Sequence, residues 1–315
     1  MNAFEKYQSL VIMAAVIIGL MIGGFPVIQV YAGFFIVPFL MIMLYGLFVM
    51  MPFDSIVLSF RKTRFLWTSL FINFVWTPLV AYGIGMLFLA DHPVLWIGFV
   101  MLMVTPCTDW YLLFTEMAKG NTALSTSLLP VNLVLQVILL PVYLYLFFGT
   151  YESVVPMDIL GSILIVLVVP MILASITKLL LADKRRAALE KKVFSFFGRF
   201  NIIFLGLAVM AMFASEREAL IDNPGVVLLL LLPVLLFFLI TFLISSLAGR
   251  MMKFNHSDSV SLIMTTMARN SPIALAIAVT AFSGEPLIAL ALVIGPLIEL
   301  PVLALTSQVL RLGER

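Results

Sequence analysis

Charge, cysteine and histidine are all scarce in this chain. Of its 315 residues 11% are charged, one is cysteine and two are histidine, whereas soluble domains carry about 25% charged residues. A single cysteine, Cys107, excludes a disulfide framework and any multi-cysteine metal site. His92 and His256 fall in loops on opposite sides of the expected membrane, too far apart to share a metal or relay a proton. No glycine-rich loop ending in Gly-Lys-Ser/Thr is present, which argues against ATP hydrolysis. There is no zincin helix, and an intramembrane aspartyl protease would need a second buried aspartate beside Asp109. Neither an enzyme nor a resident cofactor or metal is therefore expected. The formal net charge of +2 is too small to argue for a nucleic-acid partner.

What fills the chain is apolar. At 63% hydrophobic residues and a mean hydropathy of +1.19, its apolar surface exceeds what a soluble core can hide, so lipid must be the solvent for most of it. Ten apolar stretches are long enough to cross. They lie at about 9–25, 33–52, 65–89, 94–116, 122–148, 157–181, 195–214, 225–248, 257–282 and 286–309. The first is followed by no small-residue cleavage site and reads as a retained span. With both ends in the cytoplasm of a bacterial-type cell, the inner-facing segments hold 16 of the 18 basic residues and the outer loops only Arg217. That asymmetry is what the positive-inside rule requires of a ten-span plasma-membrane protein. Gly19 and Gly23 in the first span have the spacing of close helix packing.

A basic run, Lys184 to Lys192, divides the chain into five spans before it and five after. Five is odd, so the halves would have opposite orientation. Leu139-Leu140-Pro141-Val142 in span 5 also echoes Glu299-Leu300-Pro301-Val302 in span 10. Inverted repeats with broken helices at matching places are the architecture of secondary transporters. The expected fold is thus all-α, ten transmembrane helices in two inverted five-helix repeats.

Spans 4 and 9 are poor lipid-facing helices. Span 4 reads Val104-Thr105-Pro106-Cys107-Thr108-Asp109-Trp110 and span 9 reads Thr265-Thr266-Met267-Ala268-Arg269-Asn270-Ser271-Pro272. A charge at mid-depth costs at least about 2.5–3.5 kcal/mol and must face a partner or a wet cavity. Proline there frees a backbone carbonyl that protein or water has to satisfy. Pro106 and Pro272 therefore mark two helix breaks meeting near the midplane, with Asp109 and Arg269 turned toward each other. A dry ionic staple is one reading of that pair. The accompanying Thr105, Thr108, Thr265, Thr266, Asn270 and Ser271, the buried Glu299 between Pro296 and Pro301, and Asn132 and Gln136 on one face of span 5 favour a solute site. Cys107 is either a small packed side chain or, at the N-terminus of a restarted helix, a thiol biased toward thiolate.

Pro106-Cys107-Thr108, Lys119-Gly120-Asn121, Asn132, Gln136 and Gly295-Pro296-Leu297-Ile298-Glu299-Leu300-Pro301-Val302, with Leu275-Ala276-Ile277-Ala278-Val279 before the last, resemble the arsenite-permease branch of the bile acid:sodium symporter superfamily. The resemblance covers roughly residues 65–145 and 255–310. It implies a panel of spans 1, 2, 6 and 7 and a core of spans 3–5 and 8–10, with spans 4 and 9 crossing in the core. The chain would then divide into 1–182, a basic cytoplasmic linker at 183–194, and 195–315. The resemblance further implies export of arsenite, sometimes antimonite, in exchange for protons, with the cysteine matching Cys107 needed for transport. Sodium-coupled relatives carry an acidic residue and a glutamine in span 9, where this sequence has Thr265 and Arg269. The glutamate usual in arsenite permeases after the span 9 asparagine is replaced by Ser271-Pro272-Ile273-Ala274.

The function expected is arsenite export by proton antiport across the plasma membrane, the partners being the lipid bilayer, a small solute and protons. Cys107, Thr108, Asn132, Gln136, Asn270 and Ser271 are the candidate solute contacts, and Asp109, Arg269 and Glu299 the candidate proton-coupling or charge-switch groups. A sodium- or proton-coupled carrier of a small organic anion, with Arg269 as counter-charge, is the main alternative. A membrane sensor and a passive channel are others.

Overall fold

A computed structural model describes residues 8–52, 62–108, 111–151, 156–182, 186–222 and 225–312. The described residues form helices, and no strand occurs among them beyond one isolated bridge. Seven of these helices are long and apolar enough to cross a membrane: α2 (Pro26–Met50), α3 (Thr63–Phe88), α6 (Thr122–Phe148), α7 (Met157–Leu181), α8 (Ala187–Ser215), α10 (Gly225–Met251) and α13 (Pro286–Leu312). Three shorter apolar ones join them, α1 (Gln8–Ile22), α4 (Pro93–Met103) and α12 (Ser271–Ala281). The remaining short pieces are α5 (Tyr111–Met117), α9 (Arg217–Asp222) and α11 (His256–Met267). The chain is a multi-pass membrane protein.

The apolar runs at 122–148 and 157–181 coincide with α6 and α7. Two helices start earlier than hydropathy suggests. α2 begins at Pro26, whose missing N–H is harmless in the first turn of a helix. α8 begins at Ala187, so the polar Glu190, Lys191 and Lys192 are its first turns and much of the segment 183–194 is helix. Ala, Leu, Glu and Lys are strong helix formers, and hydropathy cannot see a helix that continues into water. Spans 4 and 9 are each split, the first between Met103 and Tyr111, the second between Met267 and Ser271.

The residues cluster into two compact units, 1–51 with 157–226 and 275–286, and 52–156 with 227–274 and 287–315; the boundary cuts α12 after Ala274. In the first unit α8 packs against α1 and α2, and α7 against α2. Gly19 and Gly23 let α1 lie on the α8 backbone: a Cβ at either would fall 2.5 Å from the Met210 or the Ala214 carbonyl oxygen. Basic side chains hold helix ends. Arg217 Nε donates to the Leu20 carbonyl (3.0 Å) in the last turn of α1, and Lys178 Nζ to that of Met51 (2.5 Å), just past α2. Both place positive charge where a helix dipole is negative.

In the second unit Phe65, Leu66 and Ile72 of α3 pack with Leu124 and Leu128 of α6 and Leu262 of α11. α3 contains a π-turn at Ile72–Trp76, just before Pro78. Pro78 has no N–H for the carbonyl of Phe74 four residues back, and the Tyr143 hydroxyl of α6 donates to that oxygen instead (2.6 Å). At one end of the unit α5 and α10 terminate in the same way. Lys119 (φ 58°) and Lys253 (φ 56°) take the left-handed conformation, and the N–H groups of Gly120 and Phe254 reach back to Thr115 and Gly249 (2.8 and 3.0 Å), a Schellman-type stop. The asparagine after each turn caps the next helix: Asn121 Oδ1 accepts from Leu124 N, Asn255 Oδ1 from Asp258 N. Asp258 joins the two turns, accepting from Asn121 Nδ2 (2.8 Å) and pairing with Lys62 Nζ (2.7 Å).

Candidate functional site

The two breaks pair with each other. Cys107 N donates to the Ala268 carbonyl (2.9 Å) and Asn270 N to that of Thr105 (2.7 Å), which sets Pro106 opposite Arg269 in an antiparallel bridge. Pro106 and Arg269 occupy the position in such a ladder that exchanges no hydrogen bonds. A proline, which has no N–H to give, costs nothing there. Arg269 keeps its N–H, which points away from the bridge and has to find a partner elsewhere. It donates to Glu299 Oε1 of α13 (2.8 Å). The position of Glu299 in the apolar stretch of α13 thus follows from the ladder.

The Arg269 side chain is 1% exposed and is spent on neutral acceptors. Nη1 donates to the Met103 carbonyl (2.7 Å), Nε to that of Met267 (3.0 Å), and Nη2 to the Thr266 carbonyl and to Asn73 Oδ1 (3.2 Å). Met103 ends α4, and Thr266 and Met267 end α11. One guanidinium therefore closes two helix C-termini at once, where last-turn carbonyls lack helical donors. Its carbon also lies 5.4 Å from the ring centroid of Phe237 on α10, within cation–π range. Among the described residues the side-chain ion pair is Lys62–Asp258. Asp109 lies outside the described residues.

The predicted polar groups separate into two sets. Asn270 caps α12, its Oδ1 accepting from Ile273 N (3.3 Å), and its Nδ2 donates to Thr108 Oγ1 (2.8 Å). Ser271 Oγ donates to the Leu292 carbonyl of α13. Thr265 and Thr266 bond back to Leu262, and Thr266 also meets Ser245 Oγ (2.6 Å). Pro272 sits in the first turn of α12, where it starts the second half of the span; the break itself is Ala268–Asn270. Cys107 is buried within the Pro106 break, and α5 is described only from Tyr111 onward. The second set is Asn132 and Gln136, one turn apart on α6 and 0% and 1% exposed. Among the described residues none of their four amide nitrogen and oxygen atoms has a hydrogen-bond partner, and neither has Glu299 Oε2. α6 packs against α4, α5 and α11. Buried polar atoms are normally satisfied; Ser69, Trp76, Thr77, Trp96, Ser125 and His256 each leave one such atom unmatched among the described residues, whereas Asn132 and Gln136 each leave a whole amide, donor and acceptor together.

Asn73 completes the site and is not among the residues singled out from the sequence. Its Oδ1 takes Arg269, and its Nδ2 donates to the Thr265 carbonyl (3.4 Å). The available signal was an asparagine in the middle of the apolar run 65–89, five residues before a proline. Lys62 and Asp258 were likewise missed, because their pairing spans 196 positions of chain.

Residues 37–223 match the family described as Sodium Bile acid symporter family. Among curated relatives, the Arsenical-resistance protein Acr3 of Corynebacterium glutamicum is 26% identical over 260 residues, covering 78% of this chain and 70% of that protein. The Acr3 of Alkaliphilus metalliredigens is 24% identical over 243 residues, 76% of this chain and 66% of that protein. A Bacillus subtilis protein, YbaS, described as uncharacterized, is 28% identical over 250 residues, 78% of each chain.

Proposed function

We propose that this chain, which belongs to the Sodium Bile acid symporter family, exports arsenite, with antimonite as a second substrate, from the cytoplasm across the plasma membrane in exchange for protons. The family is one of transporters, and two of the relatives bear the name arsenical-resistance protein. The observation that carries the reading is the buried pair Asn132 and Gln136, without partners among the described residues, on a helix packed against both interrupted spans.

Arsenite near neutral pH is mostly the neutral trihydroxide, a solute that presents hydroxyl donors and acceptors and no charge. An asparagine and a glutamine offer both donors and acceptors for it. Cys107, in the break beside Thr108, would supply one transient sulfur–arsenic contact, weak enough to permit release. Asp109 and Glu299 are the proposed proton carriers. Glu299 has one oxygen committed to the Arg269 N–H and the other without a partner among the described residues, and that second oxygen is where a proton would be carried. The commitment of Arg269 to Met103, Thr266, Met267 and Asn73 weighs against its serving as counter-charge to an organic anion.

The seven long helices, α1 and the two split spans, α4 with α5 and α11 with α12, support ten crossings in two inverted repeats. The two compact units support a division into panel and core, and the asymmetry of basic residues supports both termini being cytoplasmic. Everted membrane vesicles test the function. Arsenite should accumulate on energisation, the accumulation should collapse with a protonophore, and Cys107→Ser should abolish it. Carboxylate uptake without arsenite uptake would reject the proposal in favour of an anion carrier.

A further inference from the structure

We infer that the seam between the two helix breaks is a seat for a monovalent cation, which this chain fills permanently with its own guanidinium. Four neutral oxygens converge on the Arg269 side chain, from Met103, Thr266, Met267 and Asn73. Three are carbonyls from the last turns of α4 and α11, so two negative helix-dipole ends of about half a charge each meet at one point. Ends of half-helices and unwound carbonyls of this kind bind exchangeable cations in other secondary transporters. The fourth oxygen, Asn73 Oδ1, is a buried side chain projecting from the α3 π-turn. Among the described residues no carboxylate forms an ion pair with Arg269. The guanidinium is held by backbone and amide dipoles and faces the Phe237 ring, and the Glu299 carboxylate sits on the N–H of the same residue.

Without a positive charge these buried carbonyls would face one another unsatisfied, which buried polar groups in folded proteins rarely are. A cation that cannot leave removes any requirement for sodium to hold the two breaks together. Shortening the side chain should expose the seat and make the protein dependent on a cation added from outside. The inference is independent of which solute is carried, because it concerns the integrity of the crossing.

The test is the unfolding temperature of purified protein in detergent, compared in sodium, potassium, lithium and choline chloride at equal ionic strength, and in low-millimolar guanidinium. The wild type should be equally stable in all of them. Arg269→Ala should unfold at a lower temperature in choline, and be raised in a saturable manner by guanidinium or by a small alkali cation. Arg269→Lys, which keeps an ammonium in the seat, should be insensitive to added cation. Should Arg269→Ala not be recoverable, Arg269→Gln carries the same comparison, since it removes the charge and keeps a polar side chain. Sodium-specific stabilisation of the wild type would overturn the inference, as would a folded, charge-free variant indifferent to every cation. Failure of arsenite transport would touch neither result.

Discussion

The Ser271 hydroxyl donates to the carbonyl of Leu292, the oxygen that Pro296 leaves without its helical N–H. Proline at position i removes the donor for the carbonyl at i−4, and in lipid that oxygen must be satisfied by protein. The first residue of α12 thus completes a hydrogen bond missing from α13. Ser271→Ala should lower stability by about 1 kcal/mol in the wild-type background. In a Pro296→Ala background Leu292 regains its own helical donor, and the cost of Ser271→Ala should largely vanish. A double-mutant cycle on unfolding midpoints in detergent checks this, and additive effects would contradict it.

Asn73 holds the guanidinium from α3 and the Thr265 carbonyl from the same amide. Asn73→Leu leaves both without that partner in a buried site, and should cost about 1–3 kcal/mol. It should also reduce transport, since the crossing loses its link to α3. Asn73→Asp would place a full charge beside Arg269, and should keep more of the transport rate than Asn73→Leu. Rates and unfolding temperatures of the two variants decide it.

Asp258 ties together the turns that start α6 and α11, with Lys62 as its third member. The Lys62 side chain is 48% exposed, so the ion pair itself is worth little, about 0–1 kcal/mol. Removing Asp258 breaks the bond to Asn121 as well, which joins the two turns. Asp258→Ala should therefore destabilise clearly more than Lys62→Ala. Equal effects in a thermal-unfolding comparison would show that the ion pair dominates.

Gly98 lets α4 lie against α13: a Cβ there would fall 2.8 Å from both the Ile288 carbonyl oxygen and the Ala291 Cβ. Because one of those atoms is backbone, side-chain rotation cannot relieve the clash. Gly98→Ala should cost about 1–3 kcal/mol, as overpacking does. Gly83, with nothing within 4 Å of its added Cβ, should accept alanine without loss. Unfolding midpoints of the two variants measure the contrast.

Much of this was legible from residue order alone. α6 and α7 could be read because their ends carry sharp polar or proline punctuation, and the split spans because charge, hydroxyls and proline coincide at mid-depth. The start of α8 was hidden, since a helix leaving the bilayer becomes polar without ceasing to be a helix. The partner of Arg269 was hidden for a different reason. A buried cation draws attention to carboxylates, but here its acceptors are backbone carbonyls, which every residue carries and which composition cannot distinguish. Asn132 and Gln136 were visible as a polar face. That they stay unpaired, while Asn270 and Ser271 do not, depends on the fold.

The central claim is that solute is handled where Asn132 and Gln136 lie buried without partners. It is tested most directly by arsenite accumulation in energised everted vesicles containing wild type, Asn132→Leu, Gln136→Leu or the double variant, each at matched expression and with its unfolding temperature recorded. Apolar replacement removes unsatisfied groups and should leave stability unchanged or raised, while accumulation falls to background in the double variant. Undiminished accumulation in a stable double variant would contradict the account.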